Sequence, residues 1–380
     1  MKKKIGIVTL PLRNYNYGGI LQNYALQKYL IETFNVEVYT IMVAYKQQKN
    51  KIKQKLFKLL YYDLKEIKKS VNSNLENFML SNIHITETFY EIEDVSLFLK
   101  QNSFDVIITG SDQVFRSQYL NNQLERIMFL DYDKKDNGTK KIAYAASFGK
   151  NAWEKQDRKK IIENYLKNFD AISVREDSGI SICNNDFGVE AVQLIDPTLL
   201  LNINDYVALF KHQTKSIKTN SIMFSYVLDQ SEDKKRLIQT VSDQLGAESL
   251  QIELLNDQLS KISKYYYKEF QRKKAASIED WLFHFYEADY IITDSFHGVV
   301  FAILFNKPFV ALGNEFRGMT RFQSLLKLFN LEEHLVLDGN EDTILKLLRK
   351  TIDYETVNAI LLQERNKSFN YLEKAILYAT

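Results

Sequence analysis

Short runs of β-branched and other apolar residues alternate with amphipathic stretches along most of this chain, and the alternation occurs twice. Strands separated by helices form parallel sheets with crossover helices. Two such series predict an α/β protein with two doubly wound, Rossmann-like domains, at residues 1–205 and 206–380. Their ligands are expected in a crevice outside the carboxyl ends of the strands. The predicted strands are residues 5–10, 36–43, 105–109, 141–146, 171–174, 192–195, 221–228, 249–255, 290–293 and 308–312, and the predicted helices include 18–34, 277–288 and 321–330.

Charge and cysteine content exclude several classes of protein. Lys and Arg number 50 against 48 Asp and Glu, a net charge of +2, so nothing indicates a nucleic-acid partner. The single cysteine, Cys183, excludes a disulfide framework within the chain and indicates a reducing compartment, so we expect a cytoplasmic protein. None of the five histidines shows metal-ligand spacing, and no metal is predicted. The longest apolar run, residues 299–305, is far shorter than the ~20 residues that span a bilayer.

One segment departs from this balanced composition. Residues 46–69 hold nine lysines against two acidic residues, with leucines and aromatic residues between them. We interpret residues 46–75 as a basic helical insertion. Two interpretations of its surface stay open: a solvated helix, which we favour, or an amphipathic helix lying on the anionic inner face of the cell membrane.

The sharpest local motif is residues 290–301, YIITDSFHGVVF. A buried strand ends just before Ser295, and His297 with Gly298 begins an apolar helix. Backbone amides at a helix start attract anions, and an imidazole transfers protons near neutral pH. The motif therefore predicts an anion site with His297 beside it; the alternative is a structural histidine or a helix cap.

Two other strands end in candidate binding residues. Arg175 follows the strand at 171–174, where a guanidinium binds carboxylate or phosphate in two-pronged fashion; the alternative is an ion pair with a neighbouring acid, Glu176 or Asp177. The strand at 105–109 runs into the turn GSDQ, whose polar side chains accept hydrogen bonds from sugar hydroxyls or simply form the turn.

Familiar nucleotide motifs are missing. The glycines that open the first helix, Gly18 and Gly19, do not form a GxGxxG fingerprint, and the chain has no Walker-type lysine loop. There is also no GxSxG elbow, which counts against an α/β-hydrolase.

Taken together, these motifs resemble the polysaccharide pyruvyl transferase family. The resemblance covers about residues 5–330 and implies a fold similar to two-domain GT-B glycosyltransferases. By the same analogy, the helix predicted over residues 354–379 packs back on the first domain. The matching segments, in the family's order, are 18–26 (GGILQNYAL), 110–114 (GSDQV), 144–149 (YAASFG), 173–176 (SVRE), 196–198 (DPT), 293–298 (TDSFHG) and 307–309 (KPF).

The resemblance also implies an activity in surface polysaccharide synthesis. Family members move the enolpyruvyl carbons of phosphoenolpyruvate onto two hydroxyls of a polysaccharide or oligosaccharide sugar, forming a cyclic ketal and releasing phosphate. Phosphoenolpyruvate is then the donor substrate, and no separate cofactor is expected. The family's SFHG histidine and SVRE arginine, here His297 and Arg175, contact the donor. A lipid-linked oligosaccharide acceptor would suit a peripheral membrane contact through residues 46–69.

The residues suggest individual roles within this chemistry. We expect His297 to protonate the donor's methylene carbon, Arg175 to hold an anionic group, and Asp112 to orient the acceptor or take its proton. Two further functions stay open: a glycosyltransferase using a nucleotide sugar on the same scaffold, and a non-catalytic sugar-binding protein. The predicted substrate-binding residues are Gly18, Gly19, Ser111, Gln113, Ser147, Ser295, Gly298, Lys307, Arg317 and Arg321.

Overall fold

The computed structural model describes residues 2–45, 68–132, 138–213, 220–255, 273–313, 318–337 and 339–378. Most of the lysine-rich segment lies outside these ranges, as does Arg317. Among the described residues, no helix is long and apolar enough to cross a membrane.

The first half of the chain forms a parallel sheet of seven strands in the order β3-β2-β1-β4-β5-β6-β7. Its central strands are buried on both faces, as is typical of parallel sheets covered by helices. The strands are β1 (Lys4–Val8), β2 (Glu37–Val43), β3 (Ile85–Phe89), β4 (Val106–Thr109), β5 (Lys140–Ala146), β6 (Ala171–Val174) and β7 (Val192–Gln193). The helices are α1 (Tyr17–Phe34), α2 (Ser73–Asn82), α3 (Ile92–Asn102), α4 (Asn122–Met128), α5 (Lys159–Leu166) and α6 (Asp177–Ser181).

The second half forms a parallel sheet of five strands in the order β12-β11-β10-β8-β9. The strands are β8 (Ser221–Tyr226), β9 (Ala247–Gln251), β10 (Tyr290–Thr293), β11 (Phe309–Leu312) and β12 (Leu335–Val336). The helices are α7 (Ile203–Phe210), α8 (Glu232–Leu245), α9 (Ile278–Glu287), α10 (Phe296–Leu304), α11 (Met319–Leu328), α12 (Glu341–Arg349) and α13 (Tyr354–Leu377). The prediction of an α/β protein with two doubly wound sheets is confirmed.

Each sheet reverses its strand order once, and these two points fix where a ligand can bind. The first sheet reverses between β1 and β4, and the second between β8 and β10. In open α/β sheets the helices on either side of such a point diverge, which leaves a crevice at the carboxyl ends of the strands. Two crevices therefore exist, one in each half.

Apolar packing joins the two halves. One continuous core cluster contains Ile20 and Leu21 of α1 together with Val299 and Val300 of α10. The last helix, α13, also contacts the first half, since the Tyr371 hydroxyl donates to the Ala143 carbonyl at 3.0 Å. The crevices of the two sheets consequently face each other across a well-packed junction.

Candidate active site

A pocket of about 300 Å³ lies where the two crevices meet. Its lining comes from the carboxyl ends of the strands that flank both reversal points, so the site combines groups distant in sequence. A second cavity, of about 410 Å³, opens at the opposite edge of the first sheet, and none of the predicted site residues lines it. The residues that line the main pocket include Asp112, Gln113, Asp294, Ser295, Phe296, His297 and Arg321.

Asp196 joins the two residues that the sequence placed at the centre of the chemistry. Its Oδ2 accepts a hydrogen bond from Arg175 Nη1 at 2.7 Å and lies 3.7 Å from His297 Nε2. Arg175 Nη2 also donates to Asp112 Oδ1 at 3.2 Å. Arg175 therefore pairs with Asp112 and Asp196 rather than with its chain neighbour Glu176, the alternative that the sequence offered.

Asp196 was assigned no role from the sequence, although it lies in the DPT segment. The carboxylate is completely buried. Its Oδ1 accepts from the Thr198 amide at 3.0 Å and from the Thr198 hydroxyl at 2.6 Å, and its Oδ2 also accepts from the Gln22 side chain. Burial alone would raise the pKa of Asp196, but proximity to His297 and then to Arg175 lowers it well below its usual range. A permanent negative charge thus lies beside the imidazole.

Arg321 is the guanidinium that lines the pocket. Its Nη1 lies 3.8 Å from Asp112 Oδ1. Burial, followed by repulsion from the Arg175 charge, lowers the pKa of Arg321 to about 10, so the group is still cationic at neutral pH. Arg175 is as buried as Arg321, but it does not line the pocket.

The Phe296 ring lies close to both guanidinium groups. The Arg175 guanidinium carbon lies 4.2 Å from the ring centroid and that of Arg321 lies 5.4 Å away. Both distances suit cation–π attraction, which offsets part of the repulsion between two buried cations. Sequence reasoning missed this role, although Phe296 belongs to the SFHG motif.

Gly18 allows His297 to occupy its position. A Cβ atom at Gly18 would lie only 1.9 Å from His297 Nδ1, so any larger residue there would displace the ring. The Asn16 side chain caps α1 by accepting from the amides of Gly18 at 3.0 Å and Gly19 at 3.4 Å. These two amides are therefore used within the protein, and Gly19 alone of the pair lines the pocket.

The start of α10 is capped in the same way. Ser295 Oγ accepts from the Gly298 amide at 3.4 Å, so the amide expected to bind an anion already has an internal partner. Gly298 has a packing reason of its own, because a Cβ there would lie 2.2 Å from Thr293 Oγ1. Ser295 does reach the pocket wall.

The remaining predicted site residues of the first half either line the pocket or support the ends of the strands beside it. Asp112 and Gln113 line the pocket. Burial opposes ionisation of Asp112, but Arg175 and then Arg321 lower its pKa overall. Ser111 Oγ donates to the Ala145 carbonyl at 2.7 Å, and Ser147 Oγ donates to Glu176 Oε1 at 2.9 Å, so both hydroxyls brace the strand ends from behind.

Lys307 is not brought to the pocket. It precedes β11, and its Nζ lies 5.6 Å from the centroid of the Tyr286 ring. Because all strands of this sheet are parallel, the amino end of β11 lies at the edge opposite the carboxyl ends that form the site. The KPF motif that suggested Lys307 lies at the amino end of β11, not at its carboxyl end. Across the described ranges, no cluster of three or more His, Cys, Asp or Glu side chains could hold a metal ion.

Two parallel sheets that face each other across a pocket at their strand reversals define the GT-B class of two-domain proteins. The structure is similar to UDP-GlcNAc 2-epimerase from Neisseria meningitidis, with a TM-score of 0.55 at 9% identity over 98% of this chain and 100% of that one. It is also similar to MnaA of S. aureus in its co-structure with UDP, with a TM-score of 0.52 at 11% identity over 98% of this chain and 96% of that one. At these identities the likeness shows the fold alone.

The sequence shows to which family within this class the chain belongs. The model of the polysaccharide pyruvyl transferase family matches residues 16–315, and the chain belongs to that family. Membership indicates a transferase. A search of curated proteins found no match.

Proposed function

We propose that this protein transfers the enolpyruvyl carbons of phosphoenolpyruvate onto two hydroxyls of a sugar, giving a cyclic pyruvate ketal and free phosphate. Family membership supports the reaction class. The observation that carries the proposal is the convergence of His297 and Arg321 on one pocket, with Asp196 and Arg175 directly behind them.

The charges of the pocket suit this donor. Phosphoenolpyruvate carries a phosphate and a carboxylate on three carbons, and a guanidinium binds either group with two parallel hydrogen bonds. Arg321 is the arginine placed to make this contact, because it forms part of the wall. Arg175, held by two carboxylates, acts from behind by fixing Asp112 and Asp196. This assignment moves the donor contact expected of Arg175 to Arg321.

The chemical steps follow from this arrangement. His297 gives a proton to the methylene carbon, which leaves a cationic centre at C2. A sugar hydroxyl adds to C2, the bond from C2 to the phosphate oxygen breaks, and phosphate leaves with the hydroxyl proton. The second hydroxyl then adds to C2 and returns a proton to His297. Asp112 orients the acceptor, since its lowered pKa makes it a poor base.

A product assay tests the proposal. The enzyme is incubated with phosphoenolpyruvate and a panel of oligosaccharides, and phosphate and ketal are measured together. We expect both products in equal amounts, and we expect His297→Ala to reduce the rate by ~10²–10⁴-fold. His212→Ala is the control, because His212 is exposed. Release of nucleoside diphosphate from a nucleotide sugar, with no reaction of phosphoenolpyruvate, would instead establish a glycosyltransferase.

A further inference from the structure

The pocket has two chemically different walls. The second half contributes the ionisable side chains of Asp294, His297 and Arg321. Among the described residues, the first half contributes, besides Asp112, the uncharged side chain of Gln113, uncharged residues between 9 and 19, and two tyrosines, Tyr45 and Tyr119. An anionic donor suits the first of these walls, and the second wall is left for a different ligand.

The uncharged character of the second wall is maintained by side-chain packing. Arg13 lies within residues 9–19 but does not line the pocket. Its guanidinium donates to the Thr88 hydroxyl at 2.6 Å and to Glu76 at 3.2 Å, which draws the charge away. The uncharged polar side chains on this wall, besides the two tyrosines, are those of Thr9, Asn14, Asn16 and Gln113.

The two tyrosine rings are held in place. The Tyr45 hydroxyl donates to the Tyr119 carbonyl at 2.8 Å, and the Arg116 guanidinium carbon lies 4.6 Å from the centroid of the Tyr119 ring. Tyr45 is 39% exposed, so its ring is accessible to a ligand. Aromatic faces fixed in advance bind apolar surfaces with little loss of conformational entropy.

The geometry points to an acceptor subsite for an uncharged pyranose sugar on this wall, with its C–H face against Tyr45 and Tyr119 and its hydroxyls near Asn14. Calling this sugar the acceptor rests on the proposed function, whereas binding of the sugar can be measured independently of that function. A sugar that carries a carboxylate is disfavoured, because Asp112, the charged side chain that the described residues of the first half contribute to the pocket, would repel it.

Sugar binding is measured without phosphoenolpyruvate, so that no turnover occurs. The probes are the methyl glycosides of galactose, glucose, mannose and glucuronic acid, titrated by NMR into the full chain. We expect at least one neutral glycoside to bind, and the glucuronide to bind about tenfold more weakly, a ratio that corresponds to ~1.4 kcal/mol. Absence of binding by all three neutral glycosides, or a preference for the glucuronide, would overturn the inference.

Matched tyrosine variants locate the subsite. Tyr45→Ala should weaken binding about tenfold. Tyr45→Phe keeps the ring but loses the hydrogen bond to the Tyr119 carbonyl, so its affinity should lie between those of Tyr45→Ala and the wild type. Tyr90→Ala is the control, since Tyr90 is 49% exposed and does not line the pocket. Equal affinities for Tyr45→Ala and Tyr90→Ala would contradict the subsite.

The donor is titrated separately. Phosphoenolpyruvate should bind Tyr45→Ala as tightly as wild type. A wild-type protein that binds a neutral glycoside through Tyr45 but not phosphoenolpyruvate would retain the sugar subsite and refute the proposed function.

Discussion

Asp196 lies next to both Arg175 and His297, and the same carboxylate oxygen, Oδ2, faces the two side chains. Removing the charge of this buried carboxylate leaves the buried Arg175 guanidinium with one carboxylate partner fewer. The arginine, the aspartate and the histidine come from three separate strand ends in two sheets. Their meeting explains why neither half of the chain can form the site alone.

Neutralising this carboxylate should destabilise the fold. We expect Asp196→Asn to lower the free energy of unfolding by about 3–5 kcal/mol, the range found when one partner of a buried ion pair is removed. Asp177→Asn is the control, because Asp177 pairs with Lys327 at 3.2 Å on the surface and such pairs contribute about 1 kcal/mol or less. Urea unfolding measures both, and equal losses would contradict the role of Asp196.

The same carboxylate should shape stability in acid. The pKa of Asp196 is lowered in the folded protein, so below the unfolded value of about 3.9 the unfolded chain binds more protons than the native one. Stability from this group is therefore complete above that pH and is lost as the pH falls. The free energy of unfolding, measured from pH 6 downward, should decline less steeply in Asp196→Asn than in wild type, and parallel declines would argue against the assignment.

Among the elements, the start of α1 matters most, since it contributes no charge and yet sets the position of His297. Two consecutive glycines differ sharply there. The Gly18 Cβ position is occupied by the His297 ring, whereas the nearest heavy atom to a Cβ at Gly19 is Asn16 Cβ at 3.8 Å, an ordinary contact.

Alanine at each glycine tests this difference. Gly18→Ala should cost about 1–3 kcal/mol of stability through overpacking and should abolish most turnover by displacing the imidazole. Gly19→Ala should leave stability unchanged or slightly raised, because alanine favours helix. Thermal unfolding and phosphate release give the comparison. A Gly18→Ala protein as stable and active as wild type would show that the ring has room to move.

The sequence predicted the elements well where they are buried on both faces. Strands β1, β4, β6 and β10 are close to their predicted limits, since continuous β-branched runs mark central parallel strands. Ser277 and Asp280 cap the start of α9 through reciprocal hydrogen bonds of 3.0 and 3.1 Å.

Edge strands and long-range contacts were harder to predict. β3 and β12 were missed, because the first is largely polar and the second has only two residues; β9 begins and ends earlier than predicted. The sequence predicted His297, Arg175 and Asp112 as site residues, but it did not predict that Asp196 lies against both Arg175 and His297. Nothing in the local pattern around Asp196 shows that two other strand ends converge on it.

At the scale of the whole molecule, the pocket lies at the junction between the two halves. The Ser324 hydroxyl of α11 accepts from the Asp177 amide at 3.0 Å and from the Gln193 side chain at 2.8 Å. A Cβ at Gly318 would lie 2.9 Å from the Gly149 carbonyl oxygen, so these two segments of the backbone approach each other closely beside Arg321. The pocket therefore depends on both halves being docked.

Calorimetric titration of phosphoenolpyruvate tests the central claim most directly, because it requires no acceptor. The account predicts binding at one site per chain, weakened at least tenfold in Arg321→Gln and unchanged in Arg236→Gln, whose guanidinium is exposed and pairs with Asp233. Failure of the wild-type protein to bind phosphoenolpyruvate, or equal affinity in Arg321→Gln, would contradict it.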